Sequence, residues 1–149
     1  MKVTLALAGL ALAVLVAAMT TSAAGPPIIG TPVAVGKLVV PFEASAKAGE
    51  TTIVEQIKIK PGGSFGWHSH GSPVAVVIAS GTLTLLDRSV ANCAPQHLSK
   101  GQAAFEPANH VHLARNDTSK LVTLYAVYLA LPKGAAPNKP AATPAGCSA

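Results

Sequence analysis

PGGSFGWHSHGSPVAVVIASGTLTL, residues 61–85, combines a glycine turn, a pair of histidines and an apolar run rich in β-branched residues. The pair, His68 and His70, stands two positions apart immediately before that run. On an extended strand, residues i and i+2 face the same side, so both rings point together and Trp67 points away. Their bases lie roughly 6–7 Å apart, which lets both rings reach one metal ion.

A second histidine-containing stretch follows at residues 101–116, GQAAFEPANHVHLARN. A third imidazole on a neighbouring strand, about 4.8 Å away, would complete a compact face of three nitrogens. His112 supplies it if its strand folds beside the first. His110 lies in the turn after Pro107, where we expect exposure, and His97 is interpreted as a loop histidine. A His-x-His pair alone is more typical of a polar surface, so the interpretation depends on the surrounding residues.

Short β-like runs separated by Gly, Pro and Asn fill the middle of the chain. No stretch after residue 24 shows a helical period. Short runs separated by turn residues are typical of an all-β sandwich or barrel. We predict a hairpin that turns at Ser80 and Gly81. We also place the first run, residues 35–44, near a sheet edge, because Pro41 has no amide hydrogen to donate to a neighbouring strand. The predicted strands are 35–44, 51–60, 74–80, 82–87, 102–106, 110–116 and 121–131.

The spacing around the histidine pair resembles the first of two motifs of the cupins, a family of small β-barrel proteins. That motif runs Gly, five residues, His-x-His, three or four residues, Glu, six residues, Gly. Gly62, His68, His70 and Gly81 occupy matching positions. Val74 occupies the place of the Glu, which is the main departure from the pattern.

The second stretch resembles the second cupin motif, which runs Gly, five residues, Pro-x-Gly, two residues, His, three residues, Asn. Gly101, Pro107, His112 and Asn116 match it. Asn109 replaces the inner Gly, a mild change because Asn tolerates the left-handed backbone region. We expect Asn116 to close the turn in a structural role. The resemblance covers roughly residues 37–131.

This resemblance implies an all-β, cupin-like antiparallel β-barrel of the jelly-roll or double-stranded β-helix type, with a metal inside. It implies that His68, His70 and His112 are the metal ligands. Three neutral imidazoles suit Fe²⁺, Zn²⁺, Cu²⁺ or Ni²⁺, whereas Mn²⁺ loses its preferred carboxylate. We therefore expect one divalent transition metal of unassigned identity. Clustered neutral histidines without an ion would be costly to bury, which also favours a metal.

Another side chain could replace the missing carboxylate of the first motif. Glu106 precedes Pro107, close to the His112 strand; it is either an ordinary surface carboxylate at a strand end, or a metal ligand or hydrogen-bond partner of the ligands. Glu55 and Gln56 lie on the strand before the first motif, and one of them faces inward. Metal-bound histidines usually need a partner on the other ring nitrogen, a role that Gln56 could fill.

The ends of the chain differ in composition from the central domain, residues 37–131. Residues 1–24 carry Lys2, an apolar run and a small-residue site, the pattern of a secretory signal peptide; an uncleaved membrane anchor is the alternative. Residues 25–36 form an N-terminal segment, and residues 132–149 form an Ala/Pro-rich tail that we expect to be irregular or mobile. The protein is thus expected to be secreted or periplasmic.

The sequence has two cysteines: Cys93 lies in a predicted loop, and Cys147 lies in the tail. In an exported protein such an even pair favours a disulfide, which would fasten the tail to the domain. Two independent thiols are the alternative.

The composition of the chain argues against some kinds of partner and some classes of enzyme. The net charge is +5, but the basic residues are scattered and do not alternate with aromatics, so we expect no nucleic-acid partner. We expect a small-molecule ligand and no membrane contact once the leader is cleaved; whether two copies form a homodimer is left open. The serines lack a nucleophile elbow, which argues against a serine hydrolase.

Two functions remain as hypotheses. One is a metal-dependent, dioxygenase-like enzyme that uses the three-His site on a small organic molecule. The other is a non-catalytic binding protein that captures a small anionic ligand, or the metal itself, outside the cytoplasm.

Overall fold

The protein is described here by a computed structural model, which covers residues 31–39, 41 and 43–148. The predicted signal peptide, residues 1–24, lies outside these ranges. Within them, no helix is long and apolar enough to cross a membrane. The strands are β1 (Lys37–Leu38), β2 (Thr51–Ile59), β3 (Ser64–Ser69), β4 (Val74–Ser80), β5 (Thr82–Asp87), β6 (Gln96–Ser99), β7 (Gln102–Glu106), β8 (His112–Arg115), β9 (Val122–Leu131) and β10 (Lys139–Pro140), with one 3-10 turn at Ala91–Cys93.

The strands form two five-stranded sheets. Their orders are β1-β7-β4-β9-β2 and β10-β3-β8-β5-β6. All pairs are antiparallel except β1 with β7, which is parallel. The predicted all-β, cupin-like jelly-roll architecture is confirmed. Of the predicted run 35–44, Lys37 and Leu38 form β1, which lies at a sheet edge as expected; Pro41 follows this strand.

The predicted hairpin between β4 and β5 is wrong. The two strands belong to different sheets, and the chain crosses between them at Gly81. Gly81 has φ +78, and an added Cβ would lie 2.8 Å from the Leu121 carbonyl oxygen. Only glycine meets both conditions without strain. A glycine turn between two apolar runs therefore marks a change of sheet here.

The main hydrophobic core draws alternate side chains from both sheets. On β4 and β9, buried and partly buried positions alternate along the strand, because successive residues face opposite sides. Each fully buried aliphatic side chain contributes about 1.5–3 kcal/mol. The core residues are Ile59, Val74, Val76, Ile78, Leu83, Leu85, Leu98, Ala104, Ala114, Val122, Leu124, Ala126 and Tyr128.

The C-terminal tail is attached across the second sheet. A disulfide joins Cys93 to Cys147 with the Cα atoms 5.4 Å apart, which confirms the predicted pairing. Residues 139 and 140 form the short strand β10 beside β3, and the Ala141 amide donates to the Trp67 carbonyl over 2.8 Å. Trp67 lies in a second apolar cluster with Leu86, Cys93 and Leu113, against which Cys147 packs.

Asn116 ties the two histidine-bearing segments together. Its side chain is fully buried; Nδ2 donates to the carbonyls of Ile59 and Lys120, and Oδ1 accepts from the amide and hydroxyl of Thr118. Its backbone exchanges hydrogen bonds of 2.9 Å with the Gly62 amide and the Gly63 carbonyl. The structural role predicted for this residue fits these contacts.

We expect Asn116→Ala to lower the free energy of unfolding by about 2–4 kcal/mol, because it leaves buried backbone groups without partners. Urea unfolding measures the change. Ser119→Ala, an exposed substitution in the same turn, is the control and should change stability by less than about 0.5 kcal/mol. Equal effects of the two substitutions would contradict the role of the buried amide.

Candidate metal centre

The histidines of the two motifs meet because β3 and β8 are neighbours. His68 and His112 are directly paired across these antiparallel strands, so their side chains project from the same face. Their ring centroids are 4.4 Å apart. Trp67 points to the opposite face, as the strand period predicts. The expectation that His112 lies beside the His-x-His pair is therefore confirmed.

His70 follows the end of β3 and completes the cluster. Its ring centroid lies 4.9 Å from that of His68 and 4.9 Å from that of His112. The three rings are buried, and one nitrogen of each lies within 4.8 Å of one nitrogen of the other two. The Nε2 atoms of His70 and His112 are 3.2 Å apart. Nitrogens that share one Zn²⁺ at 2.0–2.1 Å are separated by about 3.0–3.4 Å, so this arrangement fits a metal ion.

Every ring is oriented by a backbone carbonyl on its Nδ1. His68 Nδ1 lies 3.0 Å from the Gly66 oxygen, His70 Nδ1 lies 2.9 Å from the Pro137 oxygen, and His112 Nδ1 lies 3.1 Å from the His110 oxygen. A carbonyl only accepts, so each Nδ1 carries the hydrogen and each neutral ring presents a lone pair at Nε2. Lone pairs that face each other at 3.2 Å repel unless a proton or a metal ion lies between them. The ring orientation therefore matches that of metal-bound histidines.

Glu106 is buried beside this cluster. Its Oε2 lies 3.1 Å from His70 Nε2, and its Oε1 lies 3.5 Å from His112 Nε2. The surface-carboxylate interpretation is therefore wrong. The sequence left its role open, because the run 102–106 does not by itself show whether Phe105 or Glu106 faces inward.

Burial and charge set the protonation of these groups in the metal-free protein. Burial is the main reason that the pKa of His68 and the pKa of His112 lie below the usual value. Burial acts the same way on His70, but its hydrogen bond with Glu106 and the charge of that carboxylate outweigh it and raise its pKa. Burial alone would raise the pKa of Glu106, whereas the histidines lower it. The pair thus favours a charged Glu106 and a protonated His70, and a metal ion bound here would compete with that proton.

The other candidates from the sequence lie away from the cluster. Gln56 is exposed and donates to the Tyr125 hydroxyl over 2.7 Å, so it supports no histidine. His97 is exposed, but it lies in the edge strand β6, so its interpretation as a loop histidine is wrong. His110 is neither buried nor fully exposed, and its Nε2 lies 2.6 Å from Asp87 Oδ1. Asp87, on β5, is the cross-strand neighbour of His112, and His110 lies in the turn that precedes β8.

A small cavity of about 30 Å³ adjoins the cluster. Glu106, His70, Tyr128 and Asn138 line its polar side, and Phe65 and aliphatic residues line the rest. Asn138 belongs to the tail, and its buried Oδ1 has no hydrogen-bond partner among the described residues. This volume holds about one or two waters. The tail thus supplies both a wall of the cavity and the carbonyl that orients His70.

Comparisons with solved structures agree on the fold. The chain is similar to the polyketide cyclase RemF from Streptomyces resistomycificus (TM-score 0.53, 15% identity, 66% of each chain covered). It is also similar to the DMSP lyase DddQ from Ruegeria pomeroyi (0.51, 17%, 58% of this chain and 42% of that one) and to a cupin-like protein from Thermotoga maritima (0.50, 20%, 59% and 62%). The chain thus spans less than two thirds of each of these proteins.

Comparison with protein families identifies the domain itself. A search of curated proteins finds no match to this chain. The cupin domain profile matches residues 55–128, which contain both histidine motifs. Together with the two-sheet fold, this match shows that the chain belongs to the cupin superfamily.

Proposed function

We propose that this protein is an exported metalloenzyme that binds one divalent transition metal through His68, His70 and His112 and acts on a small organic molecule. The observation that carries the proposal is the shared orientation of the three rings. Each Nδ1 is held by a carbonyl, and each Nε2 is left to face the others. This arrangement favours a cation over a purely structural cluster.

Enzymatic activity is supported by what surrounds the cluster. When bound, such an ion supplies a Lewis acid with coordination positions for water, O₂ or an anionic group. The cavity beside His70 gives such a group space, and the Asn138 side-chain amide adds a polar group to its wall. Similar folds carry a polyketide cyclase and a DMSP lyase, so the architecture hosts enzymes of different chemistry. A dioxygenase-like reaction is the first class to test.

Export is supported by the disulfide. Such bonds persist in oxidising compartments and are rare in the cytosol of mesophiles. The bond between Cys93 and Cys147 is therefore compatible with the secreted or periplasmic location that the signal-like residues 1–24 predict.

A second candidate function is capture of the metal, or of a small anion on it, without turnover. The size of the cavity favours it, because about 30 Å³ admits waters or a single small group rather than a whole organic substrate. Substrate would then have to reach the ion from outside this cavity.

Elemental analysis of the purified protein tests the proposal directly. We expect about one first-row transition metal per chain, as three histidines and an open position provide a single site. Protein that contains no metal, and takes none up in dialysis against Fe²⁺, Zn²⁺, Cu²⁺ or Ni²⁺, would rule out the proposed function.

Turnover separates the two candidates once a metal is found. Iron-loaded protein should consume O₂ in the presence of a small organic substrate if the dioxygenase-like proposal holds. A ligand or metal that is retained without chemical change, across a panel of small carboxylates and phenols, would favour the binding protein.

A further inference from the structure

The first cupin motif lacks its carboxylate, yet the structure contains a carboxylate next to the vacant motif position. Val74 stands where the motif carries Glu. Its directly paired residue on the adjacent antiparallel strand β7 is Glu106. Paired residues on antiparallel strands project from the same face, so both side chains enter the same space. Both also line the cavity beside His70.

The position of the carboxylate matches that of a ligand. Its two oxygens lie 3.1 Å from His70 Nε2 and 3.5 Å from His112 Nε2, while these two nitrogens are 3.2 Å apart. Donors that share one ion at about 2.0–2.2 Å are separated by about 3.0–3.5 Å, so Glu106 lies at ligand spacing from His70 and His112. The donor atoms that all lie within 4.8 Å of one another belong to the three histidines, so Glu106 approaches the cluster from its His70 and His112 side.

Glu106 does not orient any of the three rings through its outer nitrogen, Nδ1. A carboxylate that only orients a metal-bound histidine hydrogen-bonds to the nitrogen that faces away from the metal. Here all three Nδ1 atoms already lie next to backbone carbonyls. Glu106 lies instead at the two Nε2 atoms, on the side where the ion would bind.

We propose that Glu106 is the fourth protein ligand of this site and takes over, from the neighbouring strand, the place of the carboxylate that the first motif lacks. This inference rests on the proposed three-His site. The donor set becomes three imidazoles and one carboxylate, which lowers the charge of the loaded site by one unit. A hard oxygen donor also makes Mn²⁺ an acceptable ion, contrary to the expectation from three histidines alone.

The test is to remove the carboxylate from position 106 on β7 and then to introduce one at position 74 on β4. Glu106→Gln should weaken the binding of Mn²⁺ and Zn²⁺ by at least about 100-fold, since loss of even an outer partner costs 10–100-fold. The double substitution Val74→Glu with Glu106→Val should bind both ions within about tenfold of the unsubstituted protein. Glu106→Val alone has no carboxylate at either position, so its metal affinity is the value with which the double variant is compared. Affinities are measured by competition with a chelating indicator, and circular dichroism confirms that each variant is folded.

Glu55→Gln is the matched control. Glu55 is a partly buried carboxylate on β2, 3.4 Å from the Tyr128 hydroxyl and outside the ligand set. Its loss should change metal affinity less than about threefold, a bound set by the weak effect of distant substitutions. The Co²⁺-loaded protein provides a second readout, because its visible spectrum should shift in Glu106→Gln and not in Glu55→Gln.

The outcomes distinguish this inference from the proposed function. If the unsubstituted protein binds no metal, the three-His site itself fails. If it binds metal while Glu106→Gln keeps both its affinity and its Co²⁺ spectrum, only the fourth ligand is overturned. A swap variant no tighter than Glu106→Val alone would likewise contradict the equivalence of the two strand positions.

Discussion

Substitution of His112 by alanine is expected to abolish stoichiometric metal binding and to weaken the affinity by more than about 100-fold. His112 is the one cluster residue from the second motif, and it is paired directly with His68. Without it, two imidazoles remain, and the ion loses an inner donor rather than an outer partner, whose loss alone costs 10–100-fold. The affinity is read from titration with Zn²⁺ or Co²⁺ and from the metal content after dialysis.

The same substitution separates metal binding from folding. A ligand at 1,000 times its Kd stabilises the folded state by about 4 kcal/mol, so metal should raise the melting temperature of the unsubstituted protein and not that of His112→Ala. His97→Ala is the control, because His97 is exposed and lies outside the cluster. His112→Ala that still retains one tightly held ion would refute the three-His site.

Loss of the disulfide is expected to have the second large effect. Cys93 and Cys147 are 54 residues apart, and a cross-link over that separation contributes about 4 kcal/mol to the free energy of unfolding in the chain-entropy description. The double substitution Cys93→Ser with Cys147→Ser should therefore lower the free energy of unfolding by roughly 2–5 kcal/mol. Urea unfolding of the two proteins measures the difference.

The disulfide should also affect the metal site, at a distance. It fastens the tail whose Pro137 carbonyl accepts from His70 Nδ1 and whose Asn138 lines the cavity. Once the tail is released, the His70 ring loses the partner that orients it, and we expect metal affinity to fall about 10–100-fold. Reductant should reproduce both effects in the unsubstituted protein and change nothing in the double variant. Unchanged affinity after reduction would show that Pro137 does not hold the ring.

Many of the strands could be predicted from short runs of strand-forming residues in the sequence. The runs at 74–80, 82–87 and 102–106 are strands with the same bounds in the structure, because each is a short run bounded by turn residues such as Gly81, Gly101 and Pro107. β6 was missed because it is a polar edge strand in which only Leu98 is buried. β10 was missed because its lysine and proline carry no strand signal, and its pairing depends on the attached tail.

The sequence by itself determined the ligand candidates, because spacing within one strand and within one motif is a local property. His68 and His70 share a side through strand geometry alone, and the two motif spacings identified His112. Only the tertiary structure showed that β4 and β5 separate at Gly81, that Glu106 faces the cluster from the strand opposite Val74, and that the tail reaches His70. These contacts join residues far apart in the chain, and their register is set by the packing of whole sheets rather than by any local pattern.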